Sequence, residues 1–92
     1  MAAKVAIGSG AVDCTIRDIS RTGLQLHALS ILRLPDEVHL LILSEGMVIH
    51  AERVWARFPL SGLRVLAVHD VRQSTHPQAA ALREAWKSSP AR

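Results

Sequence analysis

The chain has 92 residues, 49% hydrophobic and 21% charged, with a formal net charge of +3. This length supports one domain with a single core, and the composition excludes a disordered chain. The positive excess favours anionic partners but is too small to identify one. With Cys14 as its only cysteine, the chain cannot form an internal disulfide or a thiolate metal site. No apolar run approaches the ~20 residues of a membrane span, so we expect a soluble cytoplasmic protein in a reducing compartment.

Alternation of apolar and polar residues predicts three strands in the first third of the chain, at 4–7, 12–19 and 24–28. Gly8-Ser9-Gly10 and Ser20-Arg21-Thr22-Gly23 are turn signals between them. The residues that this pattern directs to the core in the second and third strands are Val12, Cys14, Ile16, Leu24 and Leu26. The first third therefore reads as an antiparallel meander.

The next stretch, 29–36, reads as a linker whose apolar residues cover one mouth of the sheet. Residues 37–43 form an almost continuous apolar run, which predicts a strand buried on both sides. A hairpin turn at 44–46 leads to a strand at 47–55, a loop at 56–61 that contains Pro59, and a last strand at 62–68. Six short strands separated by turn signals predict a small antiparallel β-barrel, which also removes exposed sheet edges.

After the last strand the pattern changes to that of a helix. Thr75 and Pro77 form a helix start, and Ala79, Leu82 and Trp86 then fall on one helical face. A short helix needs such a docking residue to persist, and Ser-Ser-Pro at 88–90 ends it. We therefore expect an all-β fold, a six-stranded antiparallel barrel at 1–72. Residues 73–92 form a short C-terminal α-helix and tail packed on the same domain.

Catalytic and metal-binding patterns are not found. None of the five histidines has the spacing that places two ligands on one helical face, and His50 and Glu52 on one strand face do not complete a site. Ser9 lies between glycines but does not precede a helix, and Cys14 lies on the core face. We therefore expect neither an enzyme nor a bound metal or cofactor.

Asp18, Ser20 and Gly23 form the polar corner between the second and third predicted strands. Period-two alternation puts Asp18 and Ser20 on one face of a strand end, and Gly23 lets a ligand approach the backbone. These are also ordinary turn residues. The local pattern fits a hairpin corner and an exposed polar pocket at a barrel rim equally.

The wider sequence decides between them. Asp18-x-Ser20-x-x-Gly23, followed by Leu-Gln-Leu, resembles the Asp/Asn-x-Ser-x-x-Gly signature of PilZ domains. Leu-Pro-Asp-Glu-Val at 34–38 is similar to that family's linker. Arg-Val-Trp-Ala-Arg at 53–57 and Gly-Leu-Arg-Val at 62–65 are similar to its final hairpin. The resemblance covers residues 4 to 68.

The resemblance implies a six-stranded barrel from a bacterial signalling network that binds the second messenger cyclic di-GMP. By position, Asp18 would accept hydrogen bonds from a guanine edge, and Ser20 would bond the base, ribose or phosphate. Gly23 would allow close backbone approach, and Arg17 and Arg21 would supply charge toward a phosphate. An unidentified effector protein would receive the signal.

One departure from the family pattern weakens the expected binding. The family carries an Arg-x-x-x-Arg arm before its first strand, whereas only Met-Ala-Ala-Lys precedes that strand here. The first alternative is therefore a degenerate PilZ-like adaptor that binds a protein and no nucleotide. The second is a small RNA-binding barrel. Nucleic acid is disfavoured because the chain has only Trp55, Phe58 and Trp86 as stacking residues, and two of these look like packing residues.

Overall fold

The computed structural model describes residues 1–7, 10–28, 34–73 and 79–88. The strands form a closed antiparallel barrel in the order β1-β2-β3-β6-β5-β4, with β4 paired to β1. Their bounds are β1 (Ala2–Ile7), β2 (Gly10–Arg17), β3 (Gly23–Ala28), β4 (Glu37–Ile42), β5 (Met47–Arg57) and β6 (Leu60–Asp70). A 3-10 turn at Val71–Gln73 and helix α1 (Ala79–Ser88) follow. The expected all-β six-stranded barrel with one short C-terminal helix is confirmed.

The barrel interior is filled by alternate residues of the strands. Cys14, Ile16, Leu24 and Leu26 are buried there as predicted, and Val12 is partly buried against them. Leu34, from the predicted linker, also joins this core. Full burial of one such aliphatic side chain contributes about 1.5–3 kcal/mol, so the interior is the main source of stability.

The strand β4 is buried on both of its faces, as its apolar run predicted. Val38 and Leu40 face the interior, whereas Leu41 belongs to an outer cluster with Val48 and Leu82. The outer cluster is covered by α1, whose main contacts are with β1, β2, β4 and the 3-10 turn. The barrel is therefore covered by α1 on the side that carries β1, β2 and β4.

Trp86 fixes α1 to the hairpin between β4 and β5, which confirms its predicted docking role. The tip of that hairpin is Gly46, with a φ of 65° that favours glycine. A Cβ atom on Gly46 would lie 3.1 Å from the Trp86 ring. The turn thus uses glycine both for its backbone conformation and for the approach of the indole.

Several predicted strand boundaries are wrong: β1 begins at Ala2 rather than 4, β2 begins at Gly10 rather than 12, and β6 ends at Asp70 rather than 68. The loop expected at 56–61 is instead a two-residue turn, Phe58-Pro59, because β5 continues to Arg57 and β6 already begins at Leu60. Pro59 lies inside the turn, where it interrupts no strand pairing. The second strand ends at Arg17 rather than 19, because Asp18 adopts a φ of 50°.

Several predicted features lie outside the described residues. These are the turn residues Gly8 and Ser9, most of the linker (29–33), the helix start (75–78) and the helix stop after Ser88. Within the described ranges, no helix is long and apolar enough to cross a membrane.

Candidate functional site

The corner between β2 and β3 holds the residues that the sequence singled out. Asp18 has left-handed backbone, which aspartate tolerates better than most residues. Because β2 has already ended at Arg17, strand alternation does not apply to Asp18 and Ser20, and their common face stays a prediction. Arg17, Asp18, Ser20 and Arg21 are all exposed, and Gly23 is half-buried. The structure thus brings the predicted residues together in one exposed corner.

Ser20 closes this corner through its hydrogen bonds with Gly23. Its backbone N–H and its hydroxyl donate to the Gly23 carbonyl oxygen, over 2.8 Å and 3.1 Å. The Gly23 N–H donates back to the Ser20 Oγ over 3.2 Å. These bonds are those of a hairpin corner, and they account for a serine at this position without any ligand.

Gly23 is required by strand packing. A Cβ atom on Gly23 would lie 3.0 Å from the carbonyl oxygen of Leu63 on the neighbouring strand β6. The adjacent Thr22 carbonyl accepts a hydrogen bond of 2.9 Å from the Val65 N–H. The corner is therefore held tightly against β6, which gives this glycine a structural reason of its own.

The charged residues of the corner remain available. Within the described parts of the chain, the side chains of Arg17, Asp18 and Arg21 form no hydrogen bond or ion pair. Most other described cations are paired with a carboxylate, in the pairs Lys4–Asp13, Arg53–Asp36, Arg64–Glu52, Arg72–Asp70 and Lys87–Glu84. An exposed carboxylate with one arginine just before it and another three residues after it, none of them paired within the described residues, is thus the chemical feature of this corner.

Trp55 and its surroundings were missed as a candidate site by the sequence reasoning. Register pairing connects Arg17 with Gln25, Gln25 with Gly62, and Gly62 with Trp55. This row runs from the corner across β3 and β6 to β5. The only signal in the sequence was the Arg-Val-Trp-Ala-Arg segment at 53–57, and its place at the far end of this row depends on strand order and register.

The histidines do not form a metal site among the residues that the structure describes. The rings of His39 and His50 are stacked, with centroids 4.5 Å apart and planes 2° from parallel. His50 Nε2 lies 2.7 Å from a carboxylate oxygen of Glu37. Glu52, which the sequence placed beside His50, pairs with Arg64 instead. The arrangement is that of a polar cluster on the outer face.

Cys14 is not a nucleophile. It is buried in the barrel interior. Burial, with a smaller contribution from the charge of Asp13, raises the pKa of its thiol to about 12. Because only the thiolate is reactive, this cysteine is inert near neutral pH.

Comparison with known proteins gives no further information, since no family model, curated protein or solved structure matches the chain. The likeness to PilZ domains rests on the residues quoted above.

Proposed function

We propose that the chain is a non-enzymatic signalling module of the PilZ type that binds cyclic di-GMP at residues 17–23. The observation that carries this proposal is the exposed Asp18 carboxylate between Arg17 and Arg21, all three without a side-chain partner among the described residues. A carboxylate accepts two hydrogen bonds side by side, and the Watson–Crick edge of guanine offers two adjacent N–H donors. The two guanidinium groups suit the phosphates.

The rest of the corner supports this role by its rigidity. The bonds between Ser20 and Gly23 fix the backbone on which the charged side chains stand. A preformed site loses less conformational entropy when a ligand binds. The Ser20 hydroxyl, which is exposed, retains a free lone pair for a ribose hydroxyl.

Calorimetry with cyclic di-GMP tests this proposal. Hydrogen bonds to a charged group contribute about 1.5–3 kcal/mol, so Asp18→Ala is expected to weaken binding by roughly tenfold or more. Arg21→Ala is expected to weaken it as well, through loss of a phosphate contact. Cyclic di-AMP should bind far less tightly, because adenine lacks the adjacent pair of N–H donors.

Two variants serve as matched controls. Asp13 is an exposed carboxylate on β2, and Arg72 is an exposed guanidinium in the 3-10 turn that follows β6. Asp13→Ala and Arg72→Ala should leave the affinity unchanged. No heat at high micromolar ligand, or equal losses in the control and site variants, would contradict the proposal.

A second candidate, a protein-binding adaptor without a nucleotide, is favoured by the end of β6. The pairing of β3 with β6 ends at Arg64, yet β6 continues to Asp70. Leu66 and Val68 in this extension are 43% and 54% exposed, although Val68 pairs with the buried Ile49. Apolar side chains on a length of strand that β3 does not pair suit a partner that adds a strand.

The adaptor role makes a different prediction. A photoreactive residue in place of Leu66 should crosslink a bacterial protein that the same residue at Lys87 on α1 does not capture. Val68→Glu should abolish that crosslink while cyclic di-GMP produces no heat. Equal crosslinking from both positions would refute the adaptor role.

A further inference from the structure

Trp55 stands on the outer wall of the barrel because β5 carries a bulge just before it. The pairing advances by one residue on β6, from Leu63 to Gly62, while it advances by two on β5, from Arg53 to Trp55. Leu63 belongs to the barrel core, and successive residues of a strand point to opposite faces. Paired residues project to the same side, so Trp55 shares the outer face of Gly62. Bulges re-aim side chains in this way and are frequent next to functional sites.

The indole of Trp55 packs on the backbone of Gly62 without being buried. A Cβ atom on Gly62 would lie 2.0 Å from the indole nitrogen. Trp55 is nevertheless 43% exposed, and its indole N–H has no hydrogen-bond partner in the described part of the chain. An aromatic ring over a glycine stabilises a sheet, which accounts for one side of this ring. The exposed part of the indole remains accessible to a ligand.

A shallow depression lies beside the exposed part of the ring. It has a volume of about 420 Å³ and is lined by Trp55, Ala56, Arg57 and Leu60. This volume lies within the range of sites that hold small molecules. Arg57 pairs with Leu60 and lies two residues from Trp55, so the three share the outer face. The depression therefore combines a ring, two aliphatic side chains and one guanidinium group.

Arg57 is the charged group of this depression. It forms no hydrogen bond or ion pair within the described residues, and the lining includes no carboxylate. By contrast, Lys4, Arg53, Arg64, Arg72 and Lys87 each have a carboxylate partner. An uncompensated guanidinium among apolar groups repels cations and favours a ligand with a single negative charge.

We propose that this depression, the Trp55 pocket (Trp55, Ala56, Arg57 and Leu60), binds a carboxylate that is attached to a flat apolar group. The carboxylate accepts two parallel hydrogen bonds from Arg57, and the flat group stacks on the indole and contacts Leu60. A phosphate monoester fits less well. It carries nearly two charges, and one guanidinium leaves part of that charge uncompensated against apolar walls.

Two sources offer the same chemistry. One is a small aromatic acid, and the other is the C-terminal carboxylate of a peptide that ends in an aromatic residue. The pocket is separate from the corner at 17–23, because β2 and β5 lie on opposite sides of the closed barrel. The proposal is therefore independent of cyclic di-GMP binding, and either one can fail while the other holds.

The test is a titration of the full chain with 2-naphthoate, followed by NMR of the two indole N–H groups. Trp86 packs beneath α1 and serves as an internal reference for Trp55. The Trp55 signal should shift and saturate, with a dissociation constant of about 1 mM or below, whereas the Trp86 signal should stay in place. The neutral analogue 2-naphthamide should bind roughly tenfold more weakly, because it cannot form charge-assisted hydrogen bonds with Arg57.

Substitutions separate the charge from the ring. Arg57→Gln should weaken 2-naphthoate binding roughly tenfold and leave 2-naphthamide binding unchanged. The matched control Lys87→Gln removes an exposed cation from α1 and should change neither. Trp55→Leu, followed through the backbone N–H of Ala56, should weaken both ligands. Arg57→Gln alters only a surface side chain, so it remains informative if Trp55→Leu fails to fold by circular dichroism.

An N-acetylated Ala-Ala-Phe tripeptide distinguishes the two sources. If it binds at least as tightly as 2-naphthoate and its C-terminal amide does not, the pocket takes peptide C-termini. If only 2-naphthoate binds, the pocket takes a small aromatic acid. Three results would overturn the proposal: no saturable shift of the Trp55 signal up to about 10 mM 2-naphthoate, equal affinity for 2-naphthoate and 2-naphthamide, or equal losses in Arg57→Gln and Lys87→Gln.

Discussion

Substitution of Gly62 by alanine is the sharpest test of the contact between the Trp55 ring and the backbone of β6. The new Cβ atom would lie 2.0 Å from Nε1, 2.3 Å from Cε2 and 2.6 Å from Cδ1 of Trp55. Ordinary van der Waals contact between carbon atoms is about 3.5–4.0 Å, so the ring must move outward by roughly 1.5 Å. Gly62 lies in the middle of a paired strand, which leaves the indole as the group that moves.

The cost follows from the contact that the ring loses. More than half of the Trp55 surface is covered, which corresponds to about 100 Å² of apolar area and at most about 2.5 kcal/mol. Displacement of the ring removes part of this stabilisation. Alanine in a strand is itself more favourable than glycine by about 0.5–1 kcal/mol, which offsets part of the loss. We therefore expect Gly62→Ala to lower the free energy of unfolding by about 1 kcal/mol.

Gly10 provides the matched control. A Cβ atom there meets nothing nearer than the Ile7 carbonyl oxygen, at 4.0 Å. Gly10→Ala should therefore be neutral or stabilising, by up to about 1 kcal/mol, because alanine restricts the unfolded chain. The two alanine variants should differ by roughly 1–2 kcal/mol in urea unfolding followed by circular dichroism.

A double-mutant cycle isolates the steric cause. In a Trp55→Ala background the methyl group at position 62 meets no ring, so Gly62→Ala should no longer be destabilising. The emission of Trp55 should also shift to longer wavelength in Gly62→Ala as the ring moves into water. Equal stability of the Gly62 and Gly10 variants, with unchanged emission, would refute the contact between Trp55 and Gly62.

Three further predictions concern the core and the charges. Leu82→Ala should lower the free energy of unfolding by about 2–5 kcal/mol in urea melts, because Leu82 is fully buried between α1 and the barrel; a loss below about 1 kcal/mol would mean that the helix does not dock there. The raised pKa of Cys14 means that folded chains keep the proton between pH 9 and about 12 while unfolded chains lose it. Stability should therefore fall as the pH rises above 9, by at most about 1.4 kcal/mol per pH unit, and Cys14→Ala should remove that slope. Hydrogen bonds from Arg72 lower the pKa of Asp70 to about 2. The stability that these bonds give is therefore present above pH 3.8 and is lost as the pH falls toward 2. Carbon-detected NMR titration of Asp70 should show this low pKa, and Arg72→Gln should raise the pKa.

The elements that the sequence predicted best are those whose signal is local. The unbroken apolar run of β4 gave a strand buried on both faces, and the spacing of Leu82 and Trp86 gave the docked helix. The hairpin of β5 and β6 was placed less well, because Pro59 reads as a loop signal when its place inside a two-residue turn is unknown. The left-handed backbone of Asp18, which ends β2 two residues earlier than predicted, was likewise not visible in the sequence pattern.

The residues of the candidate site also differ in how far the sequence alone could predict that they lie together. Asp18, Ser20 and Gly23 are close in sequence, so their meeting in one corner required no tertiary information. The row from Arg17 through Gln25 to Trp55 joins three segments of the chain, and it exists only in one strand order and one register. Alternation indicates which face a residue occupies but carries no information about its neighbour on the next strand.

The extension of β6 beyond Arg64 also has a consequence for the solubility of the protein. Leu66, Ala67 and Val68 are three successive exposed apolar residues on a strand edge that β3 leaves uncovered. Such an edge is a template for aggregation, and charged residues beside it are the usual protection. Here that protection is supplied by Arg64 on one side and Asp70 on the other. Loss of either flanking charge should therefore promote aggregation in concentrated solutions. Leu66→Lys, which adds a charge to the edge, should reduce aggregation.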